Sequence, residues 1–189
     1  RDMAIPVHIN GRDLAGASLC VIGEQPHPQT LETLNAFRAL IAHTFGKPVT
    51  MRTLDVGGDK SLPYFPIIEA NPFLGWRGIR FCLDNSSLFM SQIRAMLRAG
   101  GDSGSLHILL PMVSSASELV AFHELLSDAR AQLAEEGYRT LKPPVGVMVE
   151  VPAAISQLGL WKPYIDFVSI GSNDLSQYLL GMDRNNPRV

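Results

Sequence analysis

Two acidic residues stand where an apolar run gives way to polar chain. Val145 to Val149 is a β-rich run that closes on Glu150, and Ile165 to Ile170 is a second that opens into Gly171, Ser172, Asn173 and Asp174. Apolar runs joined by helix-like sequence read as parallel strands buried on both faces, and side chains just past their C-terminal ends share one surface. Glu150 and Asp174 are therefore expected to face one cleft. Two carboxylates held together repel unless a cation lies between them, and hard oxygen ligands suit Mg²⁺.

Basic residues accompany them in polar, turn-like contexts. Arg52 and Lys60 flank the glycine turn Asp55, Val56, Gly57, Gly58 and Asp59. That arrangement suits a phosphate, with Asp55 and Asp59 orienting the cations, and its structural alternative is a buried salt bridge of Arg52 with Asp55 or Asp59. Arg77 lies between Gly75–Trp76 and Gly78, where glycines allow close ligand approach, or else it stacks on Trp76 or packs beside Arg80. Arg184 sits in another such turn. The acidic residues have plain roles too: Glu150 as cap of a helix from Val151 to Leu158, and Asn173 or Asp174 as cap of Leu175 to Leu180, each worth ~1 kcal/mol. Their coincidence on one inferred face is what argues for a site. None of the five histidines falls in these turns. His107 reads as a strand residue, and His8, His27, His43 and His123 as surface or packing residues, so no phospho-accepting histidine is expected in this chain.

The elements that must position these groups follow from periodicity. Residues 1–27 form a poorly defined N-terminal segment, punctuated by glycine and proline, in which only Ala17 to Ile22 looks like a strand. Leu34, Phe37, Ile41 and Phe45 recur at helical spacing until Gly46 and Pro48, and Pro48 to Leu54 is a strand running into the glycine turn. A proline-rich loop leads to the Arg77 segment. Asp84 or Asn85 can cap a helix from Ser86 to Arg98, with Phe89, Ile93 and Met96 or Leu97 as its apolar stripe. Leu106 to Leu110 is a strand closed by Pro111. Ser115 and Glu118 have capping-box spacing, and Leu119, Phe122, Leu126, Ala129 and Leu133 step by threes and fours to Gly137. Strand and helix alternate to the end, so the fold class is α/β with parallel strands, and the regular spacing favours a barrel over an open sheet.

Composition sets the outer limits. With 46% hydrophobic and 18% charged residues, the 189-residue chain can build one domain with a real core. A net charge of −2 offers no global attraction to nucleic acid. No apolar run reaches the ~18 residues of a membrane span, so neither nucleic acid nor membrane is an expected partner. Cys20 and Cys82 lie in apolar surroundings without a CxxC motif, which reads as reduced thiols in a cytoplasmic protein.

The segments RTLDVGGDK (52–60), NPFLGWRGIR (71–80), GVMVEVPAA (146–154) and SIGSNDLSQYLLGMDR (169–184), in that order, resemble a known family. It is the phosphoenolpyruvate-binding domain of phosphoenolpyruvate–protein phosphotransferases, enzyme I of the phosphotransferase system. RGIR, RAMLRA and DRNNPRV lean toward its nitrogen-related paralogue. The resemblance implies a phosphoenolpyruvate/pyruvate-type (β/α)8 barrel, partial here, over residues 28–189. It implies that Arg52 and Arg77 bind the phosphoryl group with Lys60 in support, that Glu150 and Asp174 ligate Mg²⁺, and that Asn173 and Arg184 hold the phosphate and carboxylate ends of phosphoenolpyruvate. It also implies a phospho-carrier protein as partner, and a metal with several cations is what phosphoryl transfer requires.

Departures from the family shape the remaining expectations. The first strand of the family carries an arginine in a GLYRTE-like segment, and Ser18 to Glu24 has none. The family's acid cysteine and phospho-histidine have no counterpart here, so no catalytic residue is assigned, and a truncated or internally deleted relative lacking the last strands is expected. Open edges near Ala17 to Ile22 and Ile165 to Ile170 would then call for self-association or a strand-complementing partner. Two rival readings stand beside this one: a relative of pyruvate,phosphate dikinase or phosphoenolpyruvate synthase, and a degenerate fragment that binds a metabolite or partner without catalysis.

Overall fold

The computed structural model describes residues 19–21, 38–39, 41, 47–57 and 67–189. Lys60, Gly58, Asp59, the side chain of Cys20 and most of the N-terminal segment and of the 30–45 helical pattern lie outside the described residues. Arg38, Ala39 and Ile41, within that pattern, are helical.

Five strands form one sheet in chain order: β1 (Leu19–Val21), β2 (Val49–Arg52), β3 (Leu106–Leu110), β4 (Val145–Val149) and β5 (Phe167–Ile170). Every neighbouring pair is parallel, with Met51 opposite Ile108, Ile108 opposite Val145 and Val149 opposite Ile170. The connections carry helices α1 (Ile79–Asp84), α2 (Ser86–Gly100), α3 (Ala116–Glu135), α4 (Pro152–Trp161) and α5 (Ser172–Leu180). The α/β class with parallel strands is therefore as expected, and β1 and β5 are the terminal strands of the described sheet. Among the described residues, no helix is long and apolar enough to cross a membrane.

Alternation along each strand divides the sheet into two faces. Val49, Met51, Leu106, Ile108, Leu110, Val145, Val147 and Val149 join the apolar core with the stripes of α2 (Phe89, Ile93, Met96, Leu97) and α3 (Leu119, Phe122, Leu126, Ala129, Leu133). The opposite face is mixed in polarity: Thr50 lies opposite His107 and Arg52 opposite Leu109, and the His107 ring stands 5.6 Å from that of Phe167. Burial lowers the His107 pKa. Strands β2 and β4 are buried at every position, whereas β5 alternates and leaves Val168 and Ile170 exposed.

Several element ends differ from the sequence expectation. The Arg77 segment is not loop throughout, because a 3-10 turn at Pro72–Leu74 and helix α1 bracket it. Asn85 does occupy the N-cap of α2, but its side chain turns back to donate to the carbonyl of Phe81 at 2.9 Å, with Asp84 taken by the indole N–H of Trp76. The α3 start is as expected, Glu118 accepting the Ser115 N–H at 2.9 Å. Strand β5 begins two positions late, since Asp166 accepts the N–H of Val145 and the Asp166 N–H bonds to the Val145 carbonyl.

Candidate functional site

Past the C-terminal ends of β2, β4 and β5 the chain gathers three carboxylates and three guanidinium groups. Asp55 comes from the turn after β2, and its place is set by the preceding Leu54. The Leu54 N–H donates to the buried Gln92 of α2 at 3.0 Å, and its carbonyl accepts from the Cys82 thiol of α1 at 3.4 Å. Burial, then the nearby Asp55, pushes the Cys82 pKa up, so this thiol stays protonated. Gly57 follows with φ 104°, and a Cβ there would lie 2.7 Å from the Cβ of Arg77. The glycine turn is thus packed directly on the second basic segment, a contact only glycine permits.

Arg77 is held from its own side by Glu69, which accepts the N–H of Trp76 at 3.0 Å. Its guanidinium is fully buried and spans two carboxylates: Nη2 donates to Asp55 Oδ2 at 3.1 Å, and Nη1 to Asp174 Oδ1 at 2.8 Å. Burial works against this charge, but Asp55 and then Asp174 more than offset it, and the arginine pKa rises. The stacking alternative is not what forms, since Trp76 packs edge-on against Phe81 with centroids 4.9 Å apart and Arg80 donates to the carbonyls of Leu74 and Gly75. Arg52 pairs with Asp55 at 3.2 Å, the salt bridge weighed from sequence, and its side chain keeps 10% exposure.

Asp174 lies within the first turn of α5, whose N-cap is Gly171, so neither Asn173 nor Asp174 caps that helix. Besides Arg77 it accepts from Arg184 Nη1 at 3.4 Å, and the Arg184 guanidinium, 22% exposed, sits 5.1 Å from the ring centre of Phe73. One turn on from Asp174, Tyr178 lies within 3.5 Å of Arg77 Nη1 and donates its hydroxyl proton to the carbonyl of Phe73. Burial raises its pKa, with Arg77 opposing. Asn173 is exposed. Among the described residues it makes no hydrogen bond to the cluster.

Glu150 is buried to 1% exposure and does not take the alternative role of helix cap, for the N-cap of α4 is Val151. Its Oε1 accepts the backbone N–H of Met112 at 2.7 Å. Its Oε2 makes no hydrogen bond to the described residues. Burial first, then the charges of Asp55 and Asp174, push its pKa up to about 7, against the pull of the Met112 N–H and Arg77. Beside the cluster lies a cleft of about 840 Å³, lined in part by Phe73, Met112, Val151, Pro152, Tyr178 and Met182.

The structure thus brings together Arg52, Arg77, Glu150, Asp174 and Arg184 with Asp55. Tyr178 and Met112 were not singled out from sequence. Tyr178 was findable, standing four residues after Asp174 on one helix face. Met112 carried no signal, because it acts through its backbone. As ligands for a hard divalent cation, Glu150 and Asp174 fit by chemistry: both are buried carboxylates at neighbouring strand ends, and one Glu150 oxygen is without a hydrogen bond among the described residues.

Comparison with known proteins is consistent across the chain. A family model described as "PEP-utilising enzyme, PEP-binding domain" matches residues 15–189. A protein of Escherichia coli (strain K12) named "Phosphoenolpyruvate-dependent phosphotransferase system" is 44% identical over 182 residues, 96% of this chain and 24% of that protein. The "Phosphoenolpyruvate-protein phosphotransferase" of Staphylococcus carnosus (strain TM300) is 42% identical over 170 residues, 89% of this chain and 30% of its own length. That of Mycoplasma genitalium (strain ATCC 33530 / DSM 19775 / NCTC 10195 / G37) is 39% identical over 189 residues, 100% of this chain and 32% of its own. The chain spans about a quarter to a third of the length of these relatives.

Proposed function

Since the chain belongs to the PEP-utilising enzymes through their PEP-binding domain, we propose that it binds phosphoenolpyruvate together with Mg²⁺ and serves transfer of the phosphoryl group to a histidine of a phosphotransferase-system protein. One observation carries this reading: guanidinium groups from Arg52, Arg77 and Arg184 pair with the carboxylates of Asp55 and Asp174, beside the buried Glu150, past three strand ends of one parallel sheet. Phosphoryl transfer depends on positioning and on neutralising equatorial oxygens, and a cluster of arginines around Asp174 beside the unbalanced carboxylate of Glu150 has the parts for both. Glu150 and Asp174 would hold a bound Mg²⁺, which would supply positive charge to offset that of the substrate.

Arg52, buried but for 10% of its side chain, and Arg184, 22% exposed, receive the phosphate and carboxylate of the substrate. Arg77 is buried beneath them and holds Asp55 and Asp174 at fixed separation; direct contact with the phosphoryl group requires one of its ion pairs to open. The same reading gives Lys60 a supporting contact to the phosphoryl group and has Asn173, with Arg184, hold the phosphate and carboxylate ends of the substrate. The phosphotransferase names of the relatives favour this over the dikinase alternative. Parallel strands in chain order support a partial (β/α) barrel that takes in β1 (Leu19–Val21) ahead of residues 28–189, and the same reading takes the chain to be cytoplasmic and to have a phospho-carrier protein as its downstream partner.

Calorimetry with phosphoenolpyruvate, with and without Mg²⁺, tests the reading. Binding is expected to be at least tenfold weaker without the metal. Equal affinity in both conditions removes the metal from the reading, and no binding in either removes the substrate.

A further inference from the structure

The sharpest backbone distortion near the site lies where no charged side chain does. Met112 has φ 61°, and among the described residues it is the non-glycine residue with a positive φ. A left-handed methionine is strained and persists only when its surroundings impose it. Two contacts do so here. On one side, the Met112 N–H makes its 2.7 Å bond to Glu150 Oε1, across 38 residues of sequence. On the other, Gly78 lies against the Met112 side chain, where an added Cβ would come 2.7 Å from Met112 Cβ and 2.8 Å from Cγ. The next residue, Ile79, donates its N–H to the Pro111 carbonyl at 3.3 Å, closing the clamp.

The turn after β3 is thus gripped between Gly78 and Glu150. Gly78 directly follows Arg77, the residue that holds Asp174. The Glu150 oxygen not used by Met112 faces the turn that opens α5, since a Cβ on Gly171 would lie 2.7 Å from Oε2. That is the helix carrying Asp174.

We infer that the Met112 peptide, locked in its left-handed turn by Gly78, is a positioning element that fixes Glu150 Oε1 and so presents Oε2 toward Asp174 for a divalent cation. The inference rests on the reading of Glu150 as a metal ligand and adds how that ligand is aimed. Met112 and Gly78 are positioning residues that act without touching the substrate. Their arrangement also joins the two carboxylates mechanically, because Arg77 and Gly78 are consecutive and each holds one side of the pair.

Mn²⁺ affinity of the full chain, read by electron paramagnetic resonance, tests this. G78A should weaken Mn²⁺ binding about tenfold or more, because the added methyl group displaces Met112. M112G alone, which keeps the N–H and adopts φ 61° freely, should leave Mn²⁺ binding within about twofold of wild type, whereas alanine at 78 is strained at its own φ of 58° as well as against Met112. A merely structural role predicts the reverse, with M112G weakening binding as much as G78A because a buried side chain has been lost. E150Q separates the two layers. If E150Q leaves Mn²⁺ binding unchanged, Glu150 is not a ligand and the underlying reading fails. If E150Q abolishes binding while G78A does not weaken it, the positioning inference alone is overturned. Should G78A fail to fold, the wild-type chain still decides: the Met112 amide proton resonance is expected to move as Mg²⁺ is added, and a resonance unmoved at saturation overturns the inference.

Discussion

The ends of β4 and β5 each deliver one buried carboxylate to the same place, yet in opposite electrostatic settings. Asp174, past β5, is paired with two guanidinium groups, those of Arg77 and Arg184. Glu150, past β4, has among the described residues a single neutral donor, the Met112 N–H, and a pKa raised to about 7. Neighbouring strands and the same functional group therefore yield one carboxylate whose charge is balanced within the protein and one whose charge is not. The unbalanced one is where a cation would gain most, while the balanced one anchors Arg77 and Arg184.

Removing the balance at Asp174 should have the largest effect on stability. Arg77→Leu leaves Asp55 and Asp174 buried without their shared partner, and loss of one member of a buried ion pair costs about 3–5 kcal/mol. Urea unfolding at neutral pH is expected to show a loss of that size; a change under about 1 kcal/mol would mean that Arg52 and Arg184 suffice to balance both carboxylates.

At Glu150 the sign reverses. Its pKa is higher folded, about 7 against an ordinary 4.5, so the folded state binds the extra proton between those values. The contribution is fully present below about pH 4.5 and is lost as pH rises through about 7, at most on the order of 3 kcal/mol. Glu150→Gln should flatten that part of the metal-free pH–stability profile and leave the variant more stable than wild type near pH 8. Melting curves across pH 4.5–8 check this, and parallel wild-type and variant profiles would erase the contrast between the two carboxylates.

The smallest effect belongs to the outer surface of β5, where Ile170 is 72% exposed. Ile170→Ser should change monomer stability by no more than about 0.5 kcal/mol. If this edge is covered by a second copy or by a strand-complementing partner, sedimentation should show weaker association in the variant. Identical sedimentation of variant and wild type at every concentration would place any association elsewhere.

Much of the fold was legible because each signal was local. The Ser115–Glu118 box, the stepping of Leu119 to Leu133 and the apolar runs ending at Leu110 and Val149 depend on residues a few positions apart, where chain geometry alone dictates who shares a face. The helix at Ile79–Asp84 was less legible because Gly75 and Gly78 broke the periodic pattern around Arg77. In the candidate site, strand-end positions already marked Glu150 and Asp174, while turn-like contexts and the family resemblance marked Arg52, Arg77 and Arg184. Partner choice was another matter. Arg77 takes Asp55, 22 residues back, and Asp174, 97 residues on, and a guanidinium accepts any carboxylate that packing brings within reach. The aim of Glu150 lies further still from sequence, because it depends on a backbone N–H that every residue but proline possesses and on a turn held by a glycine 34 positions earlier. Sequence alone determined which charges reach the strand ends, since period and residue type settle that; only the tertiary packing decided which of them neutralise one another, since that depends on distances between segments far apart in the chain.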